Sequence, residues 1–295
     1  MYLSAISLGY AVPDGSFDAS VHSVFRSALN LRLNGENNLI TLIASNDDDL
    51  PQGIRIEIPD EFTFEDFGLG ELVFCRDGIL RFNNNSLTIQ LSGARRWKCD
   101  LPALEFDRAD PATSAAWRFV WEALNERQRI SKAEIVAERL LDESKQEGVL
   151  HRASKAMRDL RHATQQYQSN IPAVEGLIGL GSGLTPSGDD LLVGYLAGLW
   201  CAVRGQSERA QFISRLGETV VSLSSRTNDI SRTYLYHAVR GQVSSRLANL
   251  AEAISQGTNH ERLSEIAEAS FKVGHTSGMD AVTGLLIALT AWANQ

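Results

Sequence analysis

Two stretches of this chain begin alike and then run on without a single charge. Gly183–Leu199, GLTPSGDDLLVGYLAGL, aligns with Gly274–Leu289, GHTSGMDAVTGLLIAL, once Pro186 is skipped. Eight of the sixteen aligned positions are identical, from Gly183/Gly274, Thr185/Thr276, Ser187/Ser277, Gly188/Gly278 and Asp190/Asp280 to Gly194/Gly284, Leu196/Leu286 and Leu199/Leu289. A helix that is apolar or small on every side must be buried, so each copy predicts a core helix. Gly194 and Gly198 in the first copy, and Gly284 and Ala288 in the second, give small faces on which two helices can approach closely. Glycine inside a helix costs about 1 kcal/mol relative to alanine, so packing must compensate, and the two repeat helices are expected to cross there. The uncharged runs 191–203 and 281–293 are shorter than the roughly 20 residues needed to span a bilayer.

What precedes each helix is as informative. Gly179, Gly181 and Gly183 fall within GLGSGLTPSGDD, where glycine permits positive φ and close backbone approach. Thr185-Pro186-Ser187 then offers two capping hydroxyls around a proline suited to a first helical turn. Backbone N–H groups and the positive end of a helix dipole converge on one small volume, which is the physics of an anion site. Gly181, Gly183, Thr185, Ser187 and Gly188 from the first turn, and Thr276, Ser277 and Gly278 from the second, are the candidate ligand-binding residues. Asp189, Asp190 and Asp280 stand in the first turns of buried helices, where a carboxylate needs hydrogen bonds or a cation. They are candidate catalytic groups, with His275 as a candidate acid/base. Asp189 and Asp190 are also candidate Mg²⁺ ligands, with no cofactor certain. The bland alternative is that each Asp is a dipole partner and loop clamp. Thr227 and Asn228, beside Ser231 and Arg232, form a polar cluster that reads equally as pocket wall or as loop and N-cap. No Walker A lysine and no strand-based dinucleotide fingerprint is present.

The remaining chain divides in two. Residues 1–109 read as β, with short segments at Tyr2–Val12, Val21–Leu31, Leu39–Ala44, Gly53–Ile58, Glu71–Cys75, Ile79–Phe82 and Ser86–Leu91 between turn clusters. Many short strands at close spacing predict an antiparallel barrel or sandwich. His22 and Asp47-Asp48-Asp49 read as surface features. Residues 110–295 read as helix: 111–127, 133–144 opened by a Ser131-x-x-Glu134 capping box, 148–167 with a basic face (Arg152, Lys155, Arg158, Arg161, His162), 189–204, 207–225, 230–240, 243–255 and 260–273. The fold class is therefore α+β, a β-barrel or sandwich-like domain followed by an all-α domain.

A net charge of −8 argues against non-specific nucleic-acid binding. Three scattered cysteines, with no metal spacing, fit a reducing cytoplasm. The first residues read as a strand rather than a signal peptide, and no membrane association is expected. Oligomeric state is left open, a homo-oligomer included.

Three segments in order, GLGSGLTPSGDDLLVGYLAGL, TNDISRTYLYHAVRG and GHTSGMDAVTGLL, resemble the AllH-type family. That resemblance implies a subunit of a bacterial oxamate carbamoyltransferase of allantoin (purine) catabolism, working beside FdrA-type and AllG-type partners. The implied reaction interconverts oxalurate plus phosphate with oxamate plus carbamoyl phosphate. Two alternatives stay open: a non-catalytic ligand-binding or scaffold subunit, and a Mg²⁺-dependent all-helical hydrolase.

Overall fold

A computed structural model describes residues 1–35, 38–44, 48–59, 62–104, 110–142, 147–203 and 205–293. It divides into two compact units, Met1–Cys99 and Asp100–Gln295.

The first unit is a closed barrel. Its strands are β1 (Tyr2–Gly9), β2 (Phe17–Val24), β3 (Ala28–Leu33), β4 (Leu39–Ile43), β5 (Gly53–Ile56), β6 (Leu72–Arg76), β7 (Ile79–Phe82), β8 (Thr88–Gln90) and β9 (Arg95–Trp97). The order β5-β4-β3-β2-β6-β7-β8-β1 closes through a β1–β5 pairing, which makes a ring of eight. β9 lies beside β1 further along the edge that β8 pairs, with Ser7 opposite Arg95. Most pairings are antiparallel; β1–β8, β1–β9 and β4–β5 are parallel. Closure removes the exposed edges that an open sheet would present. The interior is apolar: Leu29, Leu31, Leu42, Ile54, Ile56, Val73, Leu80 and Ile89 are fully buried. Phe64 and Phe67 join them, with the Phe67 and Phe82 rings 4.8 Å apart.

Three expectations for this unit need correcting. The apolar run 21–31 is not one strand. It is the end of β2 and most of β3, folded back at residues 25–27 and closed by Phe25 N–H donating to Ala28 O at 2.8 Å. No Gly or Pro marks that turn. β9 was not expected, because ARRW carries no apolar alternation. Asp49 is not a surface residue: it is buried, accepts a hydrogen bond from Ser7 Oγ, and pairs with Arg95 at 2.7 Å and Arg55 at 3.3 Å. Asp47 lies outside the described residues. Removing the shared carboxylate strands one nearly buried guanidinium and one hydroxyl. Asp49→Ala is therefore expected to lower barrel stability by about 2–3 kcal/mol, less than a fully buried pair because Arg95 is half exposed. Urea denaturation followed by tyrosine and tryptophan fluorescence measures it.

The second unit is helical: α1 (Pro111–Ile130), α2 (Ala137–Leu140), α3 (Gly148–Gln165), α4 (Ile171–Leu177), α5 (Ser187–Cys201), α6 (Ser207–Leu223), a 3₁₀ turn (Ser224–Arg226), α7 (Asp229–Ala238), α8 (Ser245–Ser255), α9 (His260–Phe271) and α10 (Ser277–Leu289). The Ser131–Glu134 capping box does not form. Lys132 turns into the left-handed region (φ 53°) and ends α1, with Ser131 as its C-cap. The start of α2 is instead held by side chains of α1: Gln128 Oε1 accepts Ala137 N–H and Asn125 Oδ1 accepts Glu138 N–H, both at 2.8 Å. Residues 143 and 144 of that expected helix lie outside the described residues. The short helix α4 was also unforeseen; its signals are the Asn170 N-cap, whose Oδ1 accepts Ala173 N–H at 3.0 Å, and Pro172 in the first turn.

α5 and α10 are the centre of this unit, and their glycines make the crossing. A Cβ at Gly194 would stand 1.7 Å from Ala281 O, one at Gly198 2.7 Å from Leu285 O, and one at Gly284 2.1 Å from Leu191 O. Around this seam indole N–H groups satisfy carbonyls at helix ends, where no intrahelical partner exists. Trp117 donates to Leu286 O at 3.0 Å and Trp292 to Thr164 O at 2.9 Å. Among the described residues no helix is long and apolar enough to cross a membrane.

Candidate small-ligand site at the paired helix starts

Because α5 and α10 cross so closely, their N-termini come together. The loop into α5 leaves α4 through Gly179, Gly181 and Gly183, all at positive φ (71°, 111° and 103°), a backbone that side chains other than glycine rarely adopt. Gly188 seats the first turn of α5 on the end of α4: its N–H donates to Leu180 O at 2.8 Å, and a Cβ there would stand 2.0 Å from Leu177 O. The second motif repeats the device. Gly278 N–H donates to Val273 O at 3.0 Å, and a Cβ would stand 2.1 Å from Ser270 O in α9. The repeated Ser-Gly-x-Asp is thus a docking geometry used twice.

The hydroxyls do not cap their own helices as expected. The N-cap positions are Pro186 and Thr276, and neither makes a side-chain cap hydrogen bond. The hydroxyls reach across instead. Thr185 Oγ1 and Ser277 Oγ share a hydrogen bond of 2.6 Å. Ser277 and Thr185 lie against the Asp190 carboxyl, and Ser187 and Thr276 against that of Asp280. Each helix start therefore offers its serine to the other's aspartate. Crossing the helices at glycines makes this exchange sterically feasible.

Asp190 and Asp280 are both buried, 8 % and 1 % exposed, and the Oδ2 of each has no hydrogen-bond partner. Burial pushes both carboxyls above the usual range. For Asp190 the Asp280 charge adds to the effect and the Ser277 and Thr185 hydroxyls oppose it. For Asp280 the rise, to about 7, is opposed by Ser187 and Thr276 and increased by Glu134. The capping-box spacing around Glu134 gives no sign that it neighbours Asp280.

Asp189 behaves differently. Its Oδ1 accepts Gly179 N–H at 2.9 Å and its Oδ2 accepts the Thr227 hydroxyl. Burial raises its pKa, with Thr227, Gly179 and Ser231 pulling it back. Asp189 thus ties the glycine loop to the 3₁₀ turn before α7. Each of its oxygens accepts a hydrogen bond from a protein donor. Among the described residues no group of three or more His, Cys, Asp or Glu is placed to hold a metal ion. Thr227→Val would leave a buried carboxylate oxygen unpaired. We expect a loss of about 1–2 kcal/mol in a urea titration, with faster proteolysis of the 179–186 loop.

Asn228 takes the N-cap role and also braces the glycine loop. Its Oδ1 caps α7, accepting Ile230 and Ser231 N–H at 3.0 Å, and its Nδ2 donates to Leu184 O at 2.9 Å. The loop it braces is open to solvent at Ser182, Gly183 and Leu184. Among the described residues no backbone carbonyl accepts the N–H of Gly181, Ser182, Gly183, Leu184 or Thr185. These N–H groups and the α5 dipole are what an anion would meet. His275 is exposed, between Gly274 and Thr276.

A closed eight-stranded barrel followed by a helical unit whose two repeated helix starts exchange hydroxyls and carboxyls defines a two-part α+β protein. Residues 4–96 match the AllH family N-terminal domain, and residues 177–289 match the oxamate carbamoyltransferase subunit AllH. The chain belongs to the AllH family, and the second match spans both helix starts and the Thr227–Asn228 turn between them. No solved structure matches it. The family description makes it a carbamoyltransferase subunit, a part of a multi-subunit enzyme.

Proposed function

We propose that this subunit holds a small carboxylate or phosphate at the paired helix starts during carbamoyl transfer. The reaction interconverts oxalurate plus phosphate with oxamate plus carbamoyl phosphate, with FdrA-type and AllG-type subunits completing the enzyme. The observation that carries this reading is the run of unclaimed backbone N–H groups at 181–185, next to the Thr185 and Ser277 hydroxyls that lie against the Asp190 carboxyl, with one oxygen each of Asp190 and Asp280 left without a hydrogen bond. In the forward direction a phosphate oxygen attacks the ureido carbonyl carbon. The C–N bond to the oxamate nitrogen then breaks, and that nitrogen takes up a proton. Oriented N–H donors stabilise the negative charge that grows on the carbonyl oxygen, and holding both reactants removes much of the entropic barrier. Asp280, whose carboxyl titrates near neutrality, is suited to supply and recover the proton. His275 remains a candidate for orienting the ligand from the solvent side.

A second reading is favoured by the burial of both carboxyls: this chain binds the ligand while the partners perform the chemistry. One variant addresses both. A Cβ at Gly183 meets nothing within 4 Å, but its φ of 103° disfavours any side chain. Gly183→Val should therefore fold normally and change only the loop. Oxamate and phosphate binding by calorimetry should weaken at least about tenfold, in line with losing oriented donors. Turnover by the reconstituted complex should fall in parallel. Unchanged binding and turnover would remove the loop from the site, and turnover that falls less than binding in Gly183→Val would favour the partner-based chemistry.

A further inference from the structure

The proposed site has two chemical poles, and only one of them suits an anion. The loop N–H groups at 181–185 are donors. Asp190 Oδ2 and Asp280 Oδ2 are acceptors, buried, without a hydrogen bond. The surrounding hydroxyls, Thr185, Ser187, Thr276 and Ser277, are already engaged with the same two carboxyls. No Lys or Arg forms an ion pair with either Asp among the described residues. A buried acceptor with no donor is costly to maintain, and a carboxylate or phosphate oxygen cannot relieve it. An N–H group can.

Accepting the ligand site proposed above, we infer that Asp190 and Asp280 recognise the primary-amide end of the substrate, selecting an acid amide over the diacid of the same shape. A ligand such as oxamate carries both complements. Its carboxylate meets the loop N–H groups, and its NH₂ donates to the unpartnered Asp oxygens. Oxalate, with a second carboxylate in place of the amide, brings two negative oxygens against two acidic side chains and no donor. A site built around a substrate N–H rejects an analogue that lacks it far more strongly than an apolar pocket rejects a missing methylene. The repeat explains why there are two acceptors: an NH₂ group has two hydrogens, and the crossed helices supply one aspartate each.

The test is competition calorimetry on the full chain at pH 8, with oxamate and oxalate as probes. The wild-type protein should prefer oxamate by at least about 100-fold. Asp190→Asn and Asp280→Asn, each checked for folding by circular dichroism, should reduce that preference to about tenfold or less, because an Asn amide donates to oxalate as readily as its carbonyl accepts from oxamate. Equal wild-type affinities for the two ligands would overturn the inference while leaving the anion site intact. So would a preference that survives in both variants. Binding of neither ligand would count against the site itself and hence against both proposals. Repeating the titration with Mg²⁺ adds a further check: a metal that raises oxalate affinity to that of oxamate would assign the free oxygens to a cation instead.

Discussion

Gly284→Val is expected to abolish folding of the helical unit. An ideal Cβ at this position lies 2.1 Å from Leu191 O and 2.7 Å from Tyr195 N, and both are main-chain atoms of α5. A side chain can rotate out of a clash, but a helix backbone cannot, so α5 and α10 would have to separate along their whole seam. That exposes Leu191, Leu192, Leu285 and Leu286, all fully buried. Losing burial of each costs about 1.5–3 kcal/mol, and a domain has only about 5–15 kcal/mol of stability in total. Gly194→Ala approaches the same outcome with a single methyl, because its Cβ would stand 1.7 Å from Ala281 O. Far-UV circular dichroism and limited proteolysis report the result. A Gly284→Val protein with a wild-type unfolding midpoint would show that the helices do not cross here. Gly183→Val, the same substitution in the loop, serves as the folded control.

The second large effect has the opposite sign. Asp280→Asn should stabilise the protein, and the gain should depend on pH. The folded-state pKa of Asp280 is raised from 3.8 to about 7, chiefly by burial. Between those values the folded protein holds a proton that the unfolded chain has released. The favourable contribution is therefore fully present below about pH 4, declines as pH rises, and is gone above about pH 7. Asparagine has no such titration. At pH 8 the variant should exceed wild type by on the order of 2–4 kcal/mol, the linkage value for a shift of this size, less whatever the new amide leaves unsatisfied. Near pH 4 the difference should fall close to zero. Urea unfolding at pH 4, 6 and 8 decides it, and a gain of the same size at every pH would exclude titration as its cause. Asp190→Asn should follow the same direction, since its carboxyl is raised by burial and by Asp280. A protein that gains stability when these acids are neutralised keeps a costly arrangement, as sites that bind or react commonly do.

The barrel and the helical half are legible in the sequence for separate reasons. Short branched segments between turn residues mark the strands, and the failures occur where that punctuation is missing, as at residues 25–27. The Ser131-x-x-Glu134 motif failed for the complementary reason: a local capping signal lost to Gln128 and Asn125, which reach over from α1 to hold the start of α2. Hydroxyls beside a helix start look like caps in the sequence, because spacing reports only contacts within a few residues. Thr185 and Ser277 are 92 positions apart and bond to each other.

The repeat was visible by itself, and with it the glycine faces, the buried helices and the candidate residues. Identical residues at identical offsets fix what each helix start can do alone: positive φ at the glycines, a dipole end, and a carboxyl in the first turn. Which partner each group meets was decided by the tertiary structure. Asp189 and Asp190 are neighbours in the chain, yet successive helical positions face about 100° apart. One closes the loop onto Thr227, while the other faces Asp280 across the crossing. The sequence by itself therefore determined that two such starts exist, and only the packing of α5 on α10 brought them together, because the closeness of two helices depends on the absence of side chains from both.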